Sequence, residues 1–127
     1  MIVAVSATGT EITAAVDPRF GRCRYFLFFD SDTQRVEALA NAAGQSGGGA
    51  GVQAAQQVAD KGAQVVLTGN VGPNAHQALS AADIVVYTGL SGTAKEAIDC
   101  YLSGQLKATG DATVPPHHGM GSGQGGA

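Results

Sequence analysis

Two cysteines, Cys23 and Cys100, are all that 127 residues contain, too few and too far apart for a zinc or iron–sulfur framework. No apolar run approaches the ~20 residues of a membrane span. No basic segment with a cleavage site precedes Ile2-Val3-Ala4-Val5, so that run reads as a strand and not as a signal peptide. These absences give the expectation of a cytoplasmic chain with reduced thiols and no membrane partner. Basic residues are scarce too: seven Lys and Arg stand against ten Asp and Glu, for a formal charge of −3. A general nucleic-acid binder would carry a basic face, so that class is set aside. Familiar catalytic frameworks are also missing. Neither strand-to-helix glycine loop, 69–72 or 89–92, ends in Gly-Lys-Ser/Thr, and neither matches G-x-G-x-x-G. The first strand has no carboxylates to hold the two metals of a nuclease. His76 and Cys23 lack an evident third partner for nucleophilic chemistry.

What the chain has in excess is glycine, 19 of 127 residues against an average of about 7%. Part of that excess sits in a repeat. Val65-Val66-Leu67-Thr68-Gly69-Asn70-Val71-Gly72 returns as Val85-Val86-Tyr87-Thr88-Gly89-Leu90-Ser91-Gly92, the shared pattern being V-V-x-T-G-x-x-G. Each copy is a short β-branched run that reads as a buried strand, leading into an Ala-rich segment with helical spacing. The N-terminal run also arrives at a Thr-Gly pair, Thr8-Gly9.

Taken in order, residues 2–7 predict a central strand and 8–24 a long loop that Ile12, Val16 and Phe20 keep ordered. Tyr25–Asp30 and Arg35–Leu39 predict an antiparallel hairpin around Ser31-Asp32-Thr33-Gln34. After the Gly-rich Asn41–Gly51 come an amphipathic helix over 52–61, a strand at 64–68, a helix from Pro73 to Ala82, a strand at 84–88 and a helix from Gly92 to Leu102. The fold class is α/β: a mixed five-stranded sheet of topology β-β-β-α-β-α-β-α and strand order 3-2-1-4-5. One domain spans 1–108, and the Pro/His/Gly-containing segment 109–127 reads as a flexible tail.

This order puts Thr8-Gly9, Thr68-Gly69 and Thr88-Gly89 on the carboxyl rim of the sheet, where open α/β sheets bind ligands. Glycines between strand and helix turn backbone N–H groups outward, and the helix dipoles add positive character. The 8–24 loop starts at the same rim and carries Arg19, Arg22 and Arg24, three of the seven basic residues. The competing reading pairs these arginines with Asp17 and Asp30 in structural ion pairs worth little. His76, early in the second helix, and Cys23, flanked by two arginines that would favour its thiolate, are the candidate metal ligands. Each also has an ordinary reading, as a surface histidine and a small buried hydrophobe. His117-His118 in the tail could take up a divalent metal or simply be solvated.

Val16-Asp17-Pro18-Arg19-Phe20-Gly21-Arg22 leading into an aromatic strand, then Leu67-Thr68-Gly69-Asn70-Val71-Gly72-Pro73 and Tyr87-Thr88-Gly89, resemble the dinitrogenase iron–molybdenum cofactor-binding family. The likeness covers nearly all of residues 1–108. It implies a ribonuclease-H-like fold and a non-catalytic role, holding a preassembled anionic metal–sulfur cluster. In orange-protein-like members that cluster contains molybdenum and copper bridged by sulfide; nitrogenase cofactor carriers hold the iron–molybdenum cofactor or its precursor. Many relatives carry a histidine in the glycine-rich loop before the first helix. Here that loop is Gly47-Gly48-Gly49-Ala50-Gly51, which implies non-covalent capture.

The expectation is therefore a carrier for a Mo–S or Mo–Cu–S cluster, delivering to an acceptor or assembly protein. Its expected contacts are Thr8, Arg19, Phe20, Arg22, Arg24, Gly69, Asn70, Val71, Gly72, His76, Gly89, Leu90, Ser91 and Gly92. A regulatory module for a phosphate-containing metabolite is the alternative, and a hydrolase on the same scaffold a third.

Overall fold

The computed structural model describes residues 1–42 and 49–108. Gly47, Gly48 and the 109–127 tail with its His117-His118 pair lie outside the described residues. The elements are β1 (Ile2–Ala7), β2 (Tyr25–Asp30), β3 (Val36–Ala40), α1 (Ala50–Asp60), β4 (Ala63–Leu67), α2 (Pro73–Ala81), β5 (Val85–Tyr87) and α3 (Ala94–Leu102). They form one five-stranded sheet of order β3-β2-β1-β4-β5, as the sequence predicts. β1–β2 and β2–β3 pair antiparallel, and β1–β4 and β4–β5 parallel, which brings the carboxyl ends of β1, β4 and β5 to one rim.

Strand alternation sorts the core into two layers. Ala4, Phe26, Phe28, Val66 and Val86 face α1 and α2, where Val58 and Leu79 are fully buried. Val3, Val5, Leu27, Val65 and Leu67 face the other way, onto Ala94, Ala97 and Ile98 of α3. Each of these large apolar side chains contributes about 1.5–3 kcal/mol by leaving water.

Where boundaries differ from expectation, local hydrogen bonds decide. α3 starts at Ala94 and not at Gly92, because Thr93 closes a capping box: the Glu96 amide donates to Thr93 Oγ1 (3.1 Å) and the Thr93 amide to Glu96 Oε1 (2.8 Å). β5 keeps three residues, since the Ile84 amide turns back to the Leu79 carbonyl (2.9 Å). α1 begins at Ala50, inside the glycine-rich run, and not at Val52.

The 8–24 segment is ordered. It doubles back across the rim, with the Thr8 amide donating to Ala15 O (3.0 Å) and the Asp17 amide to Ser6 O (2.9 Å). Isolated bridges then tie Ala15 to Thr93 and Arg19 to Asn70.

Candidate functional site

The rim has two sides, and the 8–24 segment treats them differently. On the α3 side it fills the end of the helix. The Ala94 amide donates to Ala14 O (2.9 Å) and the Lys95 amide to Ile12 O (2.8 Å), so with the capping box the first turn is satisfied by protein. The Gly89 amide donates to Gly69 O (2.8 Å) and the Leu90 amide to Thr68 O (3.2 Å). Gly92 (φ 79°) stands against the Glu96 carboxylate, a poor neighbour for an anion. Two of the second glycine loop's donors, the Gly89 and Leu90 amides, are therefore spent inside the fold.

On the α1–α2 side the same segment stands back and leaves a cleft of about 310 Å³. One wall is Arg19-Phe20-Gly21-Arg22, a second is Gly49–Val52 at the start of α1, and the third is Asn70 with Gly72–Ala75 at the start of α2. Both helices begin here without a side-chain cap: their N-cap residues are Gly49 and Gly72, and Pro73 occupies the first turn of α2. Each N-terminus carries about half a positive charge from its aligned peptides. Two such ends meet in one groove that Arg19 and Arg22 also line.

Small residues make this convergence possible. A Cβ on Gly21 would lie 2.9 Å from Gly51 Cα, and one on Gly51 would lie 3.0 Å from Ala75 Cβ. The loop thus meets α1 backbone to backbone at the cleft's base, and α1 meets α2 through the Ala75 methyl. Beneath it Phe20 is 2% exposed and tilts against Phe26 at 5.2 Å between ring centroids, giving the seat an apolar floor.

Of the expected contacts, the structure brings Arg19, Phe20, Arg22, Asn70 and Gly72 together in the cleft. Gly69 lies behind it against Pro18, and Val71 is buried in the core. Arg24 is exposed and His76 half-buried, and neither lines the cleft. Thr8, Gly89, Leu90, Ser91 and Gly92 share the rim but stand outside this groove. Sequence reasoning did not place Gly21, Gly49–Val52 or Pro73–Ala75 in it. The available signal was the lack of Ser, Thr, Asp or Asn directly before either helix.

Of the two sequence readings of Cys23, the structure agrees with the small buried hydrophobe and not with the metal ligand. The flanking arginines do not hold a thiolate; the side chain is 1% exposed and its Sγ lies 3.3 Å from the Phe20 carbonyl. Burial, helped by the nearby Asp17 charge, pushes the thiol up to about 12. Because the folded value lies above the unfolded one, this burial stabilises the fold fully below about pH 9. The contribution fades as pH rises from there towards 12. At neutral pH half-buried Cys100 should react with a thiol reagent and Cys23 should not until denaturant is added. Two equally fast thiols in the native protein would contradict this placement.

Among the described residues no three His, Cys, Asp or Glu side chains converge to hold a metal ion. No helix among them is long and apolar enough to cross a membrane. The family model described as dinitrogenase iron-molybdenum cofactor matches residues 1–104. The chain belongs to this family. Among solved structures similar to it is the apo orange protein of Desulfovibrio gigas, at TM-score 0.87 and 41% identity over 89% of this chain and 96% of that one. A putative NifB protein from Thermotoga is similar at TM-score 0.75 and 34% identity, covering 84% and 91% respectively. An uncharacterized protein of Methanocaldococcus jannaschii is 27% identical over 95 residues, 72% of this chain and 80% of its own.

Proposed function

We propose that the protein is a non-catalytic carrier whose cleft seats an anionic metal–sulfur cluster, of Mo–S or Mo–Cu–S composition, without a covalent anchor. The observation that carries this reading is the meeting of two helix N-termini without side-chain caps in a groove faced by Arg19 and Arg22. The described residues offer a seat, not a coordination sphere, so a suitable guest brings its own sulfide ligands. Phe20, Val52 and Pro73 add apolar wall, which suits a large polarizable anion better than a compact, strongly hydrated phosphate. Membership of the family and likeness to the orange protein support the same class of guest; the iron–molybdenum cofactor or a precursor is the alternative cargo. A carrier of this kind acts in the cytoplasm and gives the cluster up to an acceptor or assembly protein. Weak, distributed contacts favour such release.

Titration of the full-length protein with tetrathiomolybdate and copper(I) tests the reading. A charge-transfer band that travels with the protein through gel filtration is expected, and excess inorganic phosphate should displace it poorly. A band that elutes apart from the protein would remove the carrier assignment. Ready displacement by phosphate would favour a phosphate-metabolite module.

A further inference from the structure

Beside a seat for an anion lies a buried carboxylate. The Asp17 side chain is only 5% exposed, yet it belongs to the segment that lines the cleft. Its backbone is fixed to the sheet on both sides. The Asp17 amide donates to Ser6 O (2.9 Å), Ser6 Oγ donates to Asp17 O (2.7 Å), and the same hydroxyl lies 2.7 Å from Thr68 Oγ1. The next residue is held as well, since the Asn70 amide donates to Pro18 O (2.8 Å).

From this fixed point the carboxylate reaches forward. Asp17 Oδ1 accepts the Arg19 amide at 3.0 Å and faces Arg19 Nε at 3.7 Å. The contact uses Nε alone. Among the described residues no acceptor engages the two terminal nitrogens, and the Arg19 side chain is 67% exposed. An ion pair at Nε, at 3.7 Å longer than a hydrogen bond, draws the guanidinium towards Asp17 and leaves its two-pronged end available, the geometry that recognises planar or tetrahedral anions.

We propose that Asp17 is a positioning residue, holding Arg19 by a hydrogen bond to its amide and biasing its guanidinium by an ion pair to Nε so that the terminal nitrogens meet the anionic guest. The inference rests on the carrier reading for its purpose, though not for the grip itself. A turn-forming role alone would need only the acceptor for the Arg19 amide, which asparagine also supplies. Removing the charge would then cost nothing, and could help by taking a negative group away from the guest.

Asp17→Asn and Arg19→Ala, alone and combined in the full-length chain, separate these cases, with thermal unfolding confirming that each variant is folded. Retention of the tetrathiomolybdate–copper probe is expected to fall about three- to tenfold in D17N, with no further fall when D17N is added to R19A. Unchanged or improved retention in D17N, or an equal loss in both backgrounds, would overturn the proposal. Relaxation of the Arg19 Nε nitrogen in the guest-free protein gives an independent reading: ordered in the native chain and mobile in D17N. Equal mobility in both also overturns it. If the native chain retains no probe, the carrier reading fails while this second measurement still decides whether Asp17 restrains Arg19.

Discussion

Replacing Gly69 by alanine is expected to lower stability by about 2–4 kcal/mol, the upper range for overpacking. For a domain of this size that corresponds to about 10–20 °C in the thermal midpoint. The added methyl would sit 2.7 Å from Pro18 Cα and 3.1 Å from Pro18 O, atoms of backbone that no rotamer change can move aside. Neither side can yield cheaply. The Gly69 carbonyl accepts from the Gly89 amide, and Pro18 is held by the Asn70 amide, each at 2.8 Å. Relief would require lifting the Arg19–Arg22 segment off the rim, so retention of the anionic probe should be lost together with stability. Gly72→Ala is the comparison: its Cβ meets nothing within 4 Å and its φ is −79°, so it should melt within a few degrees of the native protein. Equal melting of the two variants, monitored by circular dichroism, would show that the close approach at Gly69 has no energetic weight.

The Gly69 contact also shows what the sequence could and could not reveal. Strand runs such as Val65–Leu67 and Tyr25–Asp30 are legible because β-branched and aromatic residues between turn signals leave few alternatives. The sheet order comes from chain connectivity. The rim was legible as well, since parallel β1, β4 and β5 must end together. Less legible was the inequality of the two V-V-x-T-G-x-x-G copies. Their shared letters promise equal loops, but the helix starts behind them differ: Gly72-Pro73 leaves α2 without a side-chain cap, whereas Thr93 and Glu96 close α3. That distinction can be read from the residues once the capping box is weighed against the repeat. Two further facts rest on contacts between distant segments. Ala14 and Ile12 supply carbonyls to α3, and Gly21 meets Gly51 at the cleft's base, a pairing that no local pattern encodes. The sequence points to the rim, and packing chooses which side of it stays open.

Reversing the charge of both cleft arginines, Arg19→Glu with Arg22→Glu, is expected to reduce retention of the tetrathiomolybdate–copper probe by more than about a hundredfold. Each reversal removes a charge-assisted hydrogen-bond donor, worth about 1.5–3 kcal/mol where it meets an anion, and adds repulsion in its place. Folding should survive, because both side chains are exposed, although Arg19→Glu sets a carboxylate against buried Asp17 and costs some stability. The thermal midpoint should fall less than in Gly69→Ala, and Arg22→Glu alone, which leaves the Asp17–Arg19 pair in place, should stay within a few degrees of the native protein. Arg24→Glu makes the comparison specific. Arg24 is also exposed and belongs to the same basic cluster, but it does not line the cleft. A long-range field alone would make the three arginines nearly interchangeable, and added salt would erase the differences between them. Direct seating in the groove instead makes Arg19 and Arg22 strongly unequal to Arg24, and that inequality should persist at about 0.5 M salt, several times physiological ionic strength. If Arg24→Glu alone matched the double reversal, the guest would be held elsewhere on the rim, and the two converging helix ends would need another purpose.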